Sequence, residues 1–264
     1  MKTLGRALLR LVILVLLSVL ALQAYFFGRI ALMRFVDPQS TSFQRSEAGR
    51  LLATQGRILW SQQWVPYAQI SEHLKRAVIT SEDAGFADHS GIEWDALEQA
   101  FERNQRAQER AERINERINE RLDKRAAVPA KTAPTPTPHV KPKLVGGSTI
   151  TQQLAKNLFL SGERNIVRKA QEFVITLMLE SLLSKQRILE IYLNNVEWGE
   201  GIFGAQAAAR HYFRVDAARL GPLQAAQLAV MLPAPKRFEK RPFSPYVLGR
   251  ASTVAARMEG VEVP

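Results

Sequence analysis

No cysteine occurs anywhere in the 264 residues, which removes disulfides, thiolate chemistry and cysteine-built zinc sites and leaves an oxidising compartment open. Histidine is scarce too: His73, His89, His139 and His211 follow no metal-ligand spacing, and HExxH is missing, which argues against a histidine-built metal site. The nucleotide-binding spacing GxxxxGK[ST] is also missing. Period-two alternation is nearly absent beyond Arg57 to Val65, so the expected fold class is mostly α. Acidic residues are in the minority. The 25 Asp+Glu against 36 Lys+Arg leave a net charge of +11, which points to an acidic partner: nucleic acid, an anionic membrane surface or a phosphorylated substrate. The length suits one catalytic-size domain with a core-bearing part of about 200 residues.

What the chain does have begins with an apolar run. Residues 1–10 carry Lys2, Arg6 and Arg10, and Leu11 to Phe27 is apolar apart from Ser18 and Gln23. A single membrane anchor over 11–30 is expected, with a cytoplasmic N-terminus at 1–10 and Tyr25, Phe26 and Phe27 as an interfacial aromatic belt. A cleaved signal peptide is the alternative. A cut after Ala24 would put Leu22 at −3, where a small residue is needed, so the retained anchor is preferred. Ile70, Leu74, Ala77, Val78 and Ser81 repeat with helical period after Ser71, a candidate N-cap, predicting a helix that ends near Gly85 with Glu82 and Asp83 in its last turn. The negative end of a helix dipole disfavours a carboxylate's charged form. Partial desolvation would add to this and make a base usable near neutral pH, although an isolated Glu–Asp pair is ordinarily a surface feature.

From Glu102 to Arg125 the chain is densely charged, with ERINERINERL placing Ile114, Ile118 and Leu122 four apart, and from Val128 to Lys143 it turns to Pro, Ala, Thr and Lys. A solvated helix followed by an extended linker is expected, and segment 102–143 supplies +5 of the net charge. The densest chemistry lies in GGSTITQQLAKN, Gly146 to Asn157. Ser148 and Thr149 are N-cap candidates, and Gln152 completes a capping-box spacing with Thr149. In the helix that follows, Thr149, Gln152, Gln153 and Lys156 share one stripe, while Ile150, Leu154 and Leu158 form an apolar one. A polar face at a helix N-terminus suits an anionic or phosphorylated ligand. Downstream, Val167, Ala170, Val174, Leu177, Met178 and Leu182 read as a core stripe, with Arg168 and Glu172 one turn apart on the other side. A helix around Ile188 to Tyr192, a turn over Gly199 to Gly204, a small-residue helix Ala205 to Ala209 and a last helix Leu223 to Leu232 follow, and 251–264 reads as a tail.

The ordered set SEDAGFADHSG, GGSTITQQLAKNLFL, RKAQE and YLNNVEWGEGIFGAQAAARHYF resembles the peptidoglycan glycosyltransferases of family 51, in particular its single-domain, membrane-anchored monofunctional members. The resemblance runs from the anchor to the region after Pro235. It implies a lysozyme-like α domain, here over 45–101 and 144–250, and polymerisation of lipid II into glycan strands by inverting transfer with release of polyprenyl diphosphate. It implies Glu82 as general base and Glu172 as a second carboxylate. Asp83, Phe86 and His89 would shape the surroundings of Glu82. Thr149, Gln153 and Lys156, within a stretch that also holds Ser148, Gln152 and Asn157, would line the donor site, and Arg168 would hold the pyrophosphate. No cofactor is obligatory in this reading, and a divalent cation, Mg or Mn, is compatible with the pyrophosphate. The implied partners are lipid II, the growing glycan strand, membrane lipid and proteins of cell-wall synthesis or division, with no nucleic acid. The implied location is the inner membrane, single-pass, with a periplasmic catalytic domain.

Two features depart from the family pattern. Segment 102–143 looks like an insertion of about 30 residues, and Gly91, Ile92 and Glu93 stand where Gly-Phe-Asp is typical. Two rival readings stay open. A lytic enzyme on the same fold explains Glu82 but gives Lys156 and Arg168 no phosphate to bind. A non-catalytic membrane-tethered scaffold explains the charge but not the motif set.

Overall fold

The computed structural model describes residues 2–126, 140, 147–160 and 165–264. Two compact units emerge, one of residues 1–92 with 149–264 and one of residues 93–148. Gly146 and most of the Pro-rich stretch lie outside the described residues.

In the first unit, α1 (Lys2–Leu32) is an unbroken helix whose apolar span, Leu4–Leu32, is long enough to cross a membrane. Its polar Ser18 is satisfied internally, donating to the Leu14 carbonyl at 2.8 Å. The aromatic belt is only partly as expected. Tyr25 and Phe27 are exposed, but Phe26 is buried with Ile30 and Met33, its ring edge-on to Phe159 with centroids 5.2 Å apart. The last turns of α1 therefore belong to the domain core.

Helix α2 (Ser42–Gln55) starts on a Thr41/Gln44 capping box and stops at Gly56. The strand anticipated over Arg57 to Val65 shrinks to β1 (Ser61–Gln62), because the Ile202–Phe203 segment it joins is only two residues long. Helix α3 (Glu72–Glu82) begins after Ser71, but that hydroxyl donates to the Leu220 carbonyl instead of capping. The helix ends at Glu82, not near Gly85; Asp83 is its C-cap.

The second unit is built on α4 (Trp94–Ala126), a single helix that starts well before the anticipated insertion boundary at 102. Arg106 pairs with Glu102 at 3.0 Å, and Val140 exchanges two hydrogen bonds with the Asn115 amide.

Back in the first unit are α5 (Ile150–Phe159), α6 (Ile166–Leu182) and α7 (Lys185–Asn195). Helix α1 packs on α6, where the polar Gln23 exchanges amide hydrogen bonds with Gln171. Of the expected core stripe of α6, only Met178 and Leu182 pack against the core. Val167, Val174 and Leu177 are exposed, and the buried side carries Ile175 and Leu179 together with Glu172 and Thr176. Both faces of α6 are apolar enough to be buried, so periodicity cannot choose between them. The domain buries the face whose carboxylate is matched by neighbouring cations.

Strands β2 (Glu197–Gly199) and β3 (Ile202–Phe203) form a hairpin, and β3 also pairs parallel with β1, giving the order β1-β3-β2. Gly201, at φ 73°, is obligatory there: a Cβ would sit 2.4 Å from the Leu59 carbonyl oxygen. Helices α8 (Ala205–Phe213), α9 (Pro222–Met231), α10 (Pro235–Phe238) and α11 (Pro245–Arg257) complete the unit. Helix α9 is buried along most of its length and packs against α3 and α11. The residues expected as a tail are thus structural. Ala251 and Val254 of α11, with Met258, are buried, and the Tyr67 hydroxyl donates to the Pro264 carbonyl at 2.7 Å.

Candidate active site

The C-terminal end of α3 presents Glu82 and Asp83 to the N-terminal half of α5, and the two carboxylates are used differently. Asp83 is consumed by structure. Its Oδ2 accepts the Ile150 backbone N–H at 2.9 Å, and its Oδ1 lies 2.7 Å from His89 Nε2. His89 Nδ1 accepts the Gly91 N–H at 3.1 Å, so the proton sits on Nε2 and is donated to Asp83. Gly91 is itself pinned, since its carbonyl accepts the Thr149 hydroxyl at 2.7 Å. Its φ of 85° and the closeness of Glu180 and Thr176, 2.8 Å from any added Cβ, leave room for glycine alone.

The N-terminus of α5 therefore differs from the expected anion cradle. Its first N–H groups are taken by Asp83 and by the Thr149 hydroxyl, which accepts from Gln152 N at 3.2 Å, while the Gln152 side chain closes the capping box. The anion at this helix end is the protein's own. Thr149, Gln152 and Phe86 are buried and form the frame; the Lys185 ammonium lies 4.5 Å from the centroid of the Phe86 ring. Ser148 belongs to the second unit.

Glu82 is not tied into that frame. Part-buried, its Oε2 accepts from Gln153 Nε2 at 2.9 Å, and Gln153 Oε1 in turn accepts from the Tyr192 hydroxyl at 2.9 Å. Burial raises its pKa above the ordinary carboxylate value. The Asp83 charge adds to this, while the Gln153 bond and the Lys156 charge oppose it. Lys156 is exposed one turn along α5 from Gln152, and Asn157 is half-buried beside it.

The remaining candidates stand on α6, which packs against α5. Glu172 is 3% exposed and has both oxygens engaged, one by Arg168 Nη1 at 2.9 Å and the other by Lys169 Nζ. Lys169 escaped sequence reasoning, although its place three residues before Glu172 was a readable signal. Arg168 Nε is buried with no hydrogen-bond partner among the described residues. The candidates thus form three groups: Glu82 with Gln153 and Lys156; Asp83 with His89 and Thr149; and Arg168 with Glu172. Tyr192, which the sequence reading placed on a helix without a role in the site, joins the first.

A family model described as Transglycosylase matches residues 49–113 and 135–259. The chain belongs to this transglycosylase family. Its mostly helical domain is the lysozyme-like fold of that family, and the chain is an enzyme of the glycosyltransferase class. The transglycosylase match omits residues 114–134, which lie inside the expected insertion. Curated relatives agree over nearly the whole length. The biosynthetic peptidoglycan transglycosylase of Azoarcus sp. (strain BH72) is 46% identical over 264 residues, covering 100% of both chains. That of Paraburkholderia xenovorans (strain LB400) is 46% identical over 93% of this chain and 88% of the relative. That of Burkholderia thailandensis (strain E264) is 48% identical over 93% and 83%.

Proposed function

We propose that this transglycosylase polymerises lipid II into peptidoglycan strands, transferring the lipid-linked sugar with inversion and releasing polyprenyl diphosphate. The observation that carries this reading is Glu82: a carboxylate with a raised pKa, held by an uncharged amide and coupled to Lys156. In the proposed step the acceptor 4-hydroxyl gives its proton to Glu82 while its oxygen attacks C1 of the donor from the face opposite the leaving group. As the C1–O bond to the pyrophosphate breaks, the electron pair goes to the phosphate oxygen. Lys156 and Arg168 meet that growing charge, and the unsatisfied Arg168 Nε supplies an N–H for it. Pyrophosphate is already a good leaving group, so no second carboxylate has to act as a strong acid; Glu172 serves to hold Arg168 and Lys169 in place.

Glu172 and Asp83 fit a divalent cation poorly. Both oxygens of Glu172 are paired with cations, and those of Asp83 are taken by His89 and the Ile150 N–H, so no step is routed through Mg or Mn.

Helix α1 would anchor the enzyme in the inner membrane with the domain on the periplasmic side. The exposed apolar stripe of α6, the helix on which α1 packs, would face the lipid surface. A reporter fused after Pro264 that is active only in the cytoplasm would overturn the orientation. Purified protein given lipid II is expected to yield long glycan strands. Shortening of preformed strands would favour the lytic reading, and binding without turnover would favour the scaffold.

A further inference from the structure

We propose that Tyr192 is a positioning residue for this site: its hydroxyl fixes the Gln153 side-chain amide in the orientation that turns the N–H toward Glu82. The inference rests on Glu82 being the base of the proposed reaction, and it assigns a role to a residue that would otherwise count as core.

A glutamine amide can present either its oxygen or its NH2 to a neighbour, and only the NH2 is compatible with an ionised carboxylate. Gln153 lies between Glu82 and Tyr192, 2.9 Å from each. With the amide oxygen toward Tyr192, the phenol donates to that oxygen and the NH2 donates to Glu82. With the amide reversed, Glu82 would have to be protonated to donate to the amide oxygen. The phenol would then accept from the NH2 and keep its own O–H without an acceptor. Tyr192 is fully buried, and among the described residues its hydroxyl has no acceptor besides Gln153 Oε1. An unsatisfied buried O–H is unfavourable, so the phenol selects the orientation that supports the charged, proton-accepting form of Glu82. Its own ionisation does not interfere, because burial and the charges of Glu82 and Asp83 push the phenol well above its ordinary value.

The charged and titratable groups facing Glu82 come from three helices: Asp83 at the end of its own helix α3, Lys156 of α5 and Tyr192 of α7. His89 acts only behind Asp83. Asp83 disfavours the charged form and Lys156 favours it. Both act on Glu82 itself, whereas Tyr192 acts through the Gln153 amide, so removing the phenol O–H tests the amide's contribution.

The test uses full-length protein in detergent, with the Glu82 carboxyl carbon followed by NMR titration and polymerisation kcat/KM measured against pH. In Tyr192→Phe the Glu82 midpoint and the acidic limb of the rate profile should both move up by about one pH unit, a tenfold loss of rate well below the limb. The alkaline plateau should be kept. A rate that falls equally at every pH, with the Glu82 midpoint unmoved, would mean that Tyr192 only fills space, and would overturn the proposal. Gln153→Ala guards against a misfolded Tyr192→Phe: it should raise the midpoint at least as far, and an unmoved midpoint there sinks the proposal by itself. In the double variant no further shift is expected; a further shift would show that Tyr192 acts without the amide. The NMR titration does not need turnover. A parent that fails to polymerise therefore counts against the proposed function, and an unmoved midpoint counts against Tyr192.

Discussion

Glu82 and Glu197 are both carboxylates that burial makes harder to ionise, and they differ in nearly everything around them. Glu82 ends α3, is part-buried, and takes one hydrogen bond from an uncharged amide while Lys156 acts on it through space. Glu197 starts β2 inside a ring of ionised groups. Among the described residues its Oε1 accepts no hydrogen bond; it lies 3.6 Å from Lys236 Nζ, and Lys236 is paired with Glu47, which also holds Arg50. Burial pushes Glu197 up to about 7; Lys236 opposes this, and Glu47 and Glu239 reinforce it. A raised pKa is therefore no mark of a base by itself. Glu82 is proposed as the base for its more accessible position, its neutral donor and its nearby cation, whereas Glu197 sits in a latch that joins α2, the hairpin and α10.

Substitution at each carboxylate tests that contrast. Glu82→Gln keeps the shape and removes the proposed base, so single-turnover polymerisation should slow by at least about 10²-fold while binding of a pyrophosphate-bearing lipid analogue changes little. Near-parent turnover would pass the role to Glu172. Arg168→Ala or Lys156→Ala should affect both measurements, weakening analogue binding and slowing turnover by roughly tenfold each, because in the proposed reaction these cations meet the pyrophosphate in the bound state and in the transition state.

Glu197→Gln should leave turnover close to the parent and act on stability. The folded-state pKa of about 7 lies above the ordinary 4.5, so the folded protein holds the extra proton between these values. The stability this contributes is present below about pH 4.5 and is lost as pH rises through about 7, on the order of 3 kcal/mol at most. Thermal unfolding at pH 5 and pH 8 should show a smaller gap in Glu197→Gln than in the parent; an equal gap would place the pH dependence elsewhere. The smallest effect is expected from replacing Gln105 to Lys141 with a short Gly/Ser linker, which should keep polymerisation within an order of magnitude. A folded but inactive product would make the segment part of the site.

Local rules made much of the site legible. The Thr149–Gln152 capping box, the position of Glu82 at a helix end and the one-turn spacing of Arg168 and Glu172 all appear as written in the chain. What escaped depends on distant partners. The link from Tyr192 to Glu82 spans three helices, and capture of the α5 N-terminus by Asp83 bridges 67 positions of sequence. Other omissions were readable. Thr41 with Gln44 has the same capping spacing as Thr149 with Gln152 and starts α2. Ser244 before Pro245, followed by Val247, Ala251 and Val254, announces α11 as plainly as Thr149 announces α5. The outward turn of the Val167, Val174 and Leu177 stripe was beyond periodicity, because α6 has apolar residues on both sides.

Helix α1 passes from its exposed apolar length into the domain without a hinge, since Phe26, Ile30 and Met33 are core residues. Arg187 of α7 fastens the junction, donating to the Met33 carbonyl at 2.8 Å and pairing with Asp37 at 2.7 Å. The same α7 reaches the candidate site through Tyr192. With α1 in a bilayer, this construction holds Glu82 at a constant height above the membrane plane. A lipid-linked donor then has only to diffuse sideways to reach the enzyme, and the search for substrate takes place in two dimensions.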